Sequence, residues 1–275
     1  MKLIKIAWSL LILIAATGFG NSGSQAATGV YPVVDLGAGC LLGAGAKGKW
    51  LDSDGVSPML KGGESYRLYT LRGYIGQGVG SAASSVGAPC EETEQVAVGP
   101  LSRSKEGVIA VGGQLRAMPR VPRAESNNQA VYIKATSDIL KRNGIATPKV
   151  KITQVLRIDL EGDGVQEVIV SATNYAGSVD GIITPGAQAG DYSVVFMRKV
   201  VKGKLETVIL DAEIYPGPKE FSAPAEYKVA GILDVNGDRI MEVVVHGRYY
   251  EGGWSTVYTI NGTKVQEVLS CGCGA

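Results

Sequence analysis

The sequence predicts a mostly β protein, with two tandem four-stranded antiparallel units and one packed helix, preceded by a glycine-rich β region. Three observations predict this class. Glycine is abundant, with 38 residues in a chain of 275, and short runs of Val, Ile, Tyr and Thr recur between turn-forming residues. Helical periodicity is confined to one segment. Two stretches of the C-terminal half match each other in strands, loop and turn, which indicates a duplicated β unit.

The N-terminus predicts export. Lys2 and Lys5 precede an apolar run over residues 6–18, and small and polar residues follow it. This order is typical of a secretory signal peptide, here residues 1–26, with cleavage after Ala26. The alternative is a retained membrane anchor, but the apolar run is shorter than the roughly 20 residues that span a bilayer. We therefore expect a secreted, periplasmic or cell-surface protein with no membrane span after cleavage.

The charge balance gives no reason to expect nucleic acid as a partner. The chain has 27 Lys and Arg residues, and without Lys2 and Lys5 the exported chain keeps 25 basic residues against 26 acidic ones. Proteins that bind nucleic acid through its phosphates carry a basic surface. We expect an unidentified extracellular protein or a glycan as the partner instead.

Four cysteines predict disulfides. Cys40, Cys90, Cys271 and Cys273 remain after cleavage, and an even number in an oxidising compartment is typical of disulfide-bonded proteins. Three pairings are open. Joining Cys40 to Cys90 would cross-link the N-terminal half, and joining Cys271 to Cys273 would close a small, strained ring. The alternative is a four-thiolate zinc site, although the spacing lacks two separate C-x₂-C pairs.

Residues 27–115 form the glycine-rich β region. A hairpin is expected within residues 42–51, turning at Lys47-Gly48, and the small residues of 76–87 predict a long loop. Residues 116–127 begin with RAMPRVPR, whose prolines and arginines indicate a linker or an extended edge. The strand-like segments of this region are 29–36, 49–51, 65–72, 95–98 and 108–111.

The C-terminal region, residues 128–275, opens with the one predicted helix, over residues 128–143. Apolar residues recur there with helical spacing, and Asn127 or Asn128 would cap the first turn. Gly144 fits the position just past the end of the helix. The predicted apolar stripe consists of Val131, Tyr132, Ala135, Ile139 and Leu140.

The duplicated unit follows the helix. Residues 155–170 (VLRIDLEGDGVQEVIV) are matched 75 residues later by 230–245 (AGILDVNGDRIMEVVV). Residues 192–196 match 254–258 at an offset of 62, so the first copy carries a 13-residue insertion within the connection 176–191. Each unit therefore runs strand, acidic loop, strand, connection, strand, turn, strand. The predicted two-residue turns are Lys202-Gly203 and Asn261-Gly262.

Each copy places acidic residues at fixed positions in its first loop. Oxygen ligands on alternate residues, followed by a carboxylate, can surround a hard cation, and calcium suits such a flexible cage better than magnesium. Without a cation, the four carboxylates of the first loop repel one another. The alternative is a pair of polar hairpin turns. Positions 1, 3, 5 and 9 are Asp159, Glu161, Asp163 and Glu167 in the first loop, and Asp234, Asn236, Asp238 and Glu242 in the second.

This spacing, with a strand on each side, resembles the calcium loops of FG-GAP and VCBS-type repeats of integrin α-chains and exported bacterial proteins. The resemblance implies structural calcium, held by the side chains at positions 1, 3, 5 and 9 and by the position-7 carbonyls, here those of Val165 and Ile240. The chain departs from the family in lacking the FG-GAP residues, and two copies cannot close a propeller. Glu161 is longer than the usual Asp or Asn. Arg239 replaces the glycine that Gly164 supplies in the first copy, which predicts a weaker second site.

The remaining candidate residues carry weaker signals. His246, the only histidine, ends an apolar strand, so we expect a packed or edge residue and not a member of a Ser-His-Asp or Cys-His site. Tyr249, Tyr250 and Trp254 surround a turn at Glu251. They predict packing between strands, with sugar stacking as the alternative.

These features predict an exported, non-enzymatic, calcium-binding β-repeat module for adhesion, surface assembly or ligand binding. The alternative is a secreted hydrolase whose site lies in the N-terminal half or in the 176–191 insertion. A deep cleft with converging polar groups would favour the enzyme, and a flat face would favour the binding module.

Overall fold

A computed structural model describes residues 29–101, 107–175 and 183–274. The predicted signal peptide, residues 1–26, lies outside the described residues, as do residues 176–182 of the predicted insertion. Within the described ranges, no helix is long and apolar enough to cross a membrane.

The N-terminal region forms a seven-stranded antiparallel sheet in the order β3-β2-β1-β9-β4-β5-β8, beside a two-stranded sheet of β6 and β7. A short helix, α1 (Ser53–Val56), and a 3₁₀ turn (Ser57–Met59) follow the third strand. The strands are β1 (Tyr31–Asp35), β2 (Cys40–Ala46), β3 (Lys49–Leu51), β4 (Ser65–Thr70), β5 (Gly73–Gly80), β6 (Ser84–Gly87), β7 (Cys90–Gln95), β8 (Val98–Gly99) and β9 (Ile109–Gly112).

The C-terminal region contains the two predicted four-stranded antiparallel units and the packed helix, α2 (Ala130–Arg142). The first unit has a short additional edge strand, β10 (Arg123–Ala124), and gives the sheet β10-β11-β12-β13-β14; the second gives β15-β16-β17-β18. The predicted fold class is therefore confirmed. The strands are β11 (Ile152–Ile158), β12 (Glu167–Thr173), β13 (Asp191–Val201), β14 (Lys204–Tyr215), β15 (Glu226–Leu233), β16 (Glu242–Arg248), β17 (Gly253–Asn261) and β18 (Lys264–Cys273).

The three large sheets are stacked in layers, and the sheet of the second unit lies in the middle. One of its faces packs on the first unit, as in the contact of Val243 and Tyr258 with Ile169 and Met197. Its other face packs on the N-terminal sheet, where Val244 meets a core that includes Val33. Because both faces are covered, the run of three valines in β16 is buried throughout, as in strands with no solvent-exposed face.

Helix α2 covers the outer face of the first unit, where Ile139 and Leu140 pack against β12 and β13. The helix begins at Ala130, two residues later than predicted, and neither Asn127 nor Asn128 caps it; the capping position is Gln129, without a side-chain hydrogen bond. Val131, predicted to be in the apolar stripe, is 54% exposed, because the buried face is centred on the stripe's other four members.

The predicted end of α2 is confirmed. The Gly144 N–H donates to the Lys141 carbonyl, and the Ile145 N–H donates to the Leu140 carbonyl. This pair of bonds is the Schellman arrangement, which requires a residue with positive φ. Gly144 supplies it, at φ +95°.

In the N-terminal region, the hairpin turning at Lys47-Gly48 is confirmed by the pairing of Ala46 with Lys49. The long loop predicted over residues 76–87 is wrong, because β5 and β6 occupy much of it. Two of its glycines permit close packing: a Cβ on Gly78 would lie 2.7 Å from the Val98 side chain, and a Cβ on Gly80 would lie 2.4 Å from the Tyr66 ring. The predicted strand over 95–98 is wrong as well, since β7 ends at Gln95 and β8 begins at Val98.

The register of the sheets revises the alignment of the two units. Val170 of β12 pairs with Phe196, and Val245, 75 residues later, pairs with Thr256. The structural offset between β13 and β17 is therefore 60 residues and not 62. The two-residue shift leaves each side chain on the same face of the sheet. The predicted turn Lys202-Gly203 is confirmed by the pairing of Val201 with Lys204. The predicted turn Asn261-Gly262 is wrong by one residue, because Asn261 pairs with Lys264 and the turn is Gly262-Thr263.

The four cysteines form two disulfides, Cys40–Cys271 and Cys90–Cys273. Disulfides are therefore confirmed over the zinc alternative, and the pairing is not the one that joins Cys40 to Cys90 and Cys271 to Cys273. Both bonds join the N-terminal region to the last strand of the second unit, across 231 and 183 residues of sequence. Cross-links that close such long loops restrict the unfolded chain strongly.

Candidate metal centres

The first acidic loop connects β11 to β12 and is organised around the position-1 carboxylate. Asp159 Oδ1 accepts hydrogen bonds from the N–H groups of Gly162 (2.6 Å) and Asp163 (3.2 Å), and its Oδ2 accepts one from Gly164 at 3.0 Å. The Asp163 carboxylate accepts from the Val165 N–H at 2.8 Å. One side chain therefore fixes the backbone of the whole turn.

The second loop, between β15 and β16, repeats this pattern. Asp234 Oδ1 accepts from Gly237 at 2.7 Å and from Asp238 at 3.2 Å, and its Oδ2 accepts from Arg239 at 2.9 Å. Asp238 Oδ1 accepts from the Ile240 N–H at 2.8 Å. The same positions make the same bonds in both loops, which supports the duplication inferred from the sequence.

The position-9 glutamates also act alike. Glu167 accepts a hydrogen bond from the Leu160 N–H, and Glu242 accepts one from the Val235 N–H, each at 2.9 Å. Each carboxylate thereby joins the end of its loop, at position 9, to the backbone at position 2. Both are nearly inaccessible, with 2% of Glu167 and 1% of Glu242 exposed.

The two loops differ at position 3. In the first loop, Glu161 pairs with the Lys199 ammonium, with 2.5 Å between Oε1 and Nζ. In the second, the Asn236 amide donates to Asp238 Oδ2 at 3.0 Å, and its oxygen accepts from the Asp238 N–H at 2.9 Å. Position 3 thus faces a lysine in one copy and its own loop in the other.

The second loop is also more deeply covered, because the N-terminal sheet lies against it. A Cβ on Gly45 of β2 would come within 2.2 Å of the Val235 carbonyl oxygen, so only glycine permits this contact. The ring of Tyr31 lies over Gly237. As a result Asn236 is only 3% exposed, whereas 28% of the Glu161 side chain is exposed.

The buried glutamates have pKa values well above the usual range. The pKa of Glu242 is raised to about 8, chiefly by burial and also by the carboxylates of Asp238 and Asp234, against the hydrogen bond from Val235. The pKa of Glu167 is raised to about 7, chiefly by burial and also by Glu161, against the hydrogen bond from Leu160 and the charge of Lys199. The acidic groups of the second loop therefore repel one another with no ammonium beside them among the described residues, while Lys199 offsets this repulsion in the first.

Arg120 joins the two loops. Its Nε donates to the Asp159 carbonyl at 2.5 Å, and its Nη2 donates to the carbonyls of Leu160 at 2.8 Å and Arg239 at 2.7 Å. The Met241 N–H donates directly to the Leu160 carbonyl at 3.0 Å. The predicted linker 116–127 thus places a guanidinium between the candidate sites.

The side chains at the predicted metal positions surround each loop without converging on one point. Within the described ranges, no three His, Cys, Asp or Glu side chains form a group that could hold a metal ion as they stand. Val165 and Ile240, whose carbonyls were predicted ligands, have half-exposed side chains at the rims of the loops. A cation would require the side chains at the predicted metal positions to come closer together.

His246 lies in β16 beside a serine and an aspartate, but their order does not suit catalysis. The Ser255 hydroxyl donates to Asp35 Oδ2 at 2.6 Å, and His246 Nδ1 lies 3.1 Å from the same hydroxyl. In a catalytic triad the histidine stands between the serine and the aspartate. Here the serine stands between them and is fully buried, although a cavity of about 320 Å³ borders His246 and Asp35.

The predicted aromatic cluster packs at the end of the second unit. Tyr249 lies 5.5 Å from Tyr250 and 6.1 Å from Trp254 between ring centroids. Trp254 also contacts Tyr227 edge-to-face at 5.9 Å, and Trp254 and Tyr249 pack against the core between the two units. This arrangement supports the packing role, and a groove of about 230 Å³ beside Trp254 borders the Cys90–Cys273 disulfide.

Comparisons with protein-family models, with curated proteins and with solved structures found no match to this chain. The resemblance of the two loops to calcium-binding repeats therefore stays a prediction from their residues.

Sequence reasoning missed three residues that shape the candidate sites: Lys199, Arg120 and Gly45. Lys199 comes directly after Arg198, near the end of the apolar strand β13, where basic residues suggest only a strand end. Arg120 belongs to a proline-containing segment that suggests a linker. The sequence does show apolar residues on both sides of the Arg198-Lys199 pair. A lysine at such a position can be buried, and burying an ammonium requires a charged partner.

Proposed function

We propose that this chain is an exported, non-enzymatic β-repeat module that binds calcium as a structural ion in its second acidic loop, for adhesion, surface assembly or ligand binding. The observation that carries the proposal is the buried set of acidic groups in that loop. Glu242, Asp234 and Asn236 are each less than 5% exposed. Burial above all, and then repulsion from the carboxylates of Asp238 and Asp234, disfavours ionisation of Glu242 and raises its pKa. A divalent cation would remove this repulsion.

The donors fit a hard cation. Carboxylate, amide and carbonyl oxygens are what calcium takes, in flexible geometry. The ion would be held by the side chains at positions 1, 3, 5 and 9 and by the position-7 carbonyl. Its chemistry there would be charge neutralisation and the fixing of a loop against the N-terminal sheet. These ligands are Asp234, Asn236, Asp238, Glu242 and Ile240.

Export accords with the two disulfides, which persist in oxidising compartments. The partner we propose is an extracellular protein or a glycan. The Ser255 hydroxyl beside His246 is enclosed and directed at Asp35, so this serine is not placed to act as the nucleophile of a hydrolase.

Calcium-dependent melting tests the proposal. A ligand that binds only the folded state stabilises it by about 2.7 kcal/mol at one hundred times its Kd. We expect calcium to raise the Tm of the mature protein relative to chelator, and magnesium to raise it less. The double change Asp234→Asn with Asp238→Asn should abolish the rise, because asparagine keeps one oxygen that can accept the backbone hydrogen bonds of Oδ1 but lacks the charge and the second acceptor oxygen.

The matched change in the first loop, Asp159→Asn with Asp163→Asn, should leave the calcium-dependent rise intact. Equal Tm values in calcium and chelator for the unmodified protein would rule out the ion. If the calcium-dependent rise in Tm were lost only with the first-loop change, the ion would belong to the first loop.

A further inference from the structure

We infer that Lys199 serves as a built-in cation of the first acidic loop, so that the chain binds one calcium ion and not two. This inference deepens the proposed function and rests on it for the ion in the second loop. The first loop fits a metal poorly, because an ammonium already lies among its acidic groups.

The position of Lys199 carries the first step of the argument. The side chain is 5% exposed, and its ammonium contacts Glu161, the position-3 residue, at 2.5 Å. A buried ammonium is unfavourable unless it is paired and hydrogen-bonded. The ammonium therefore compensates the position-3 ligand of the four predicted side-chain ligands directly.

The second unit shows what a loop without this lysine looks like. Lys199 pairs with Glu206 across β13 and β14, and the equivalent pair across β17 and β18 is Thr259 with Gln266. Threonine brings no charge to its loop. Asn236, at position 3, turns onto its own loop instead. The residue at this one strand position therefore decides whether the neighbouring loop contains an internal cation.

The two possible cations exclude each other in the first loop. A calcium ion held by Glu161 and Glu167 would lie beside the Lys199 ammonium, and like charges at short range in a buried site repel strongly. To bind the metal, the loop would have to expel a lysine that has almost no exposure. The internal ion pair needs no such rearrangement.

The experiment counts calcium ions per chain by native mass spectrometry, with the mature protein first stripped by chelator and then given calcium. The variant is Lys199→Thr, which copies the residue of the second unit. The matched control is Lys204→Thr, which removes an exposed lysine a few residues away. We expect one ion in the unmodified protein and in the control, and two ions in Lys199→Thr. The variant should also have a lower Tm in chelator, which calcium restores.

The outcomes separate this inference from the proposed function. No ion in the unmodified protein with one in Lys199→Thr would refute calcium in the second loop and still support the built-in cation. Two ions in the unmodified protein, or no gain in Lys199→Thr, would overturn the inference. Should Lys199→Thr fail to fold, the NMR signal of the Lys199 ammonium decides: it should persist at saturating calcium and be lost in Glu161→Gln, and its displacement by calcium would refute the inference.

Discussion

In the first acidic loop Glu161 pairs with the ammonium of Lys199, whereas in the second Asn236 bonds to Asp238 and the acidic groups have no ammonium beside them in the described chain. The backbones of the two loops are nevertheless held by the same hydrogen bonds. The aspartates at positions 1 and 5 and the glutamate at position 9, which both loops share, therefore account for the common turn. What the loop can bind depends on residues that reach it from elsewhere in the fold.

The loops also differ in what covers them. The second loop lies under the N-terminal sheet at Gly45 and Tyr31, so the region that precedes the repeats is part of its environment. The Cys40–Cys271 bond fixes the covering strand β2 to β18 of the same unit. Four predictions follow from this arrangement, each able to contradict or refine the comparison.

Removing the Cys40–Cys271 cross-link should have the largest effect. Loss of a native disulfide typically costs about 2–5 kcal/mol, and we expect Cys40→Ser with Cys271→Ser to destabilise the chain within that range. Because β2 covers the second loop, its amides at Gly237 and Asp238 should exchange hydrogen faster in the variant. Urea unfolding and hydrogen exchange followed by NMR measure the two effects.

The matched control removes the other bond, through Cys90→Ser with Cys273→Ser. It should lower the unfolding midpoint without a comparable change at Gly237, because Cys90 belongs to β7 and not to the covering strand. If amide hydrogen exchange became faster to the same extent in the first and second acidic loops, the covering strand β2 would not be what distinguishes the two loops.

The second prediction concerns Gly45. Its substitution by alanine would bring a Cβ within 2.2 Å of the Val235 carbonyl oxygen, closer than contacts allow. Overpacking of this kind costs about 1–3 kcal/mol, and we expect Gly45→Ala to fall at the upper end because its neighbour is backbone. Gly217→Ala, where no atom lies within 4 Å of the new Cβ, is the control for urea unfolding. Equal midpoints for the two variants would contradict the close packing of β2 on the second loop.

The fold class could be predicted because its signals are local. Alternating apolar runs, Lys47-Gly48 and the acidic loop patterns each depend on a few adjacent residues. The two-residue error in aligning β13 with β17 arose because a shift by two keeps every side chain on its face, so the apolar pattern fits either register. Only the pairing across the sheet decides between them, as with Val170 and Phe196.

The environment of the candidate sites could not be predicted, because it depends on contacts between distant segments. Lys199 lies 38 residues from Glu161, and Arg120 lies 119 residues from Arg239. The sequence alone predicts the stronger calcium site in the first loop, because it shows only the charges within each loop. The lysine supplied by the neighbouring strand is the reason we now propose the opposite order.

The third prediction concerns Arg120, which donates to carbonyls of both loops. Hydrogen bonds that involve a charged group contribute roughly 1.5–3 kcal/mol. Since Arg120 is part-exposed, we expect Arg120→Ala to destabilise the protein by about 2 kcal/mol, and Arg120→Lys to recover little, because an ammonium cannot form the same fork. Arg116→Ala, at an exposed position, should change the unfolding free energy by less than about 0.5 kcal/mol. Full stability of Arg120→Ala would show that the direct Met241–Leu160 bond holds the loops together by itself.

The smallest expected effect comes from position 6, which has positive φ in both loops: +87° at Gly164 and +74° at Arg239. In this conformation a Cβ destabilises the folded state by about 1–2 kcal/mol. Glycine avoids this strain but loses more conformational entropy on folding, which destabilises it by roughly 0.5–1 kcal/mol. Arg239→Gly should therefore stabilise the protein by about 0.5 kcal/mol, and Gly164→Ala should destabilise it by a similar amount, since no atom lies within 4 Å of the added Cβ. Urea unfolding in chelator measures both changes without the ion. A destabilising Arg239→Gly would mean that the arginine side chain makes a contact that outweighs the backbone strain, and the second loop would then depend on its own arginine as the first depends on Lys199.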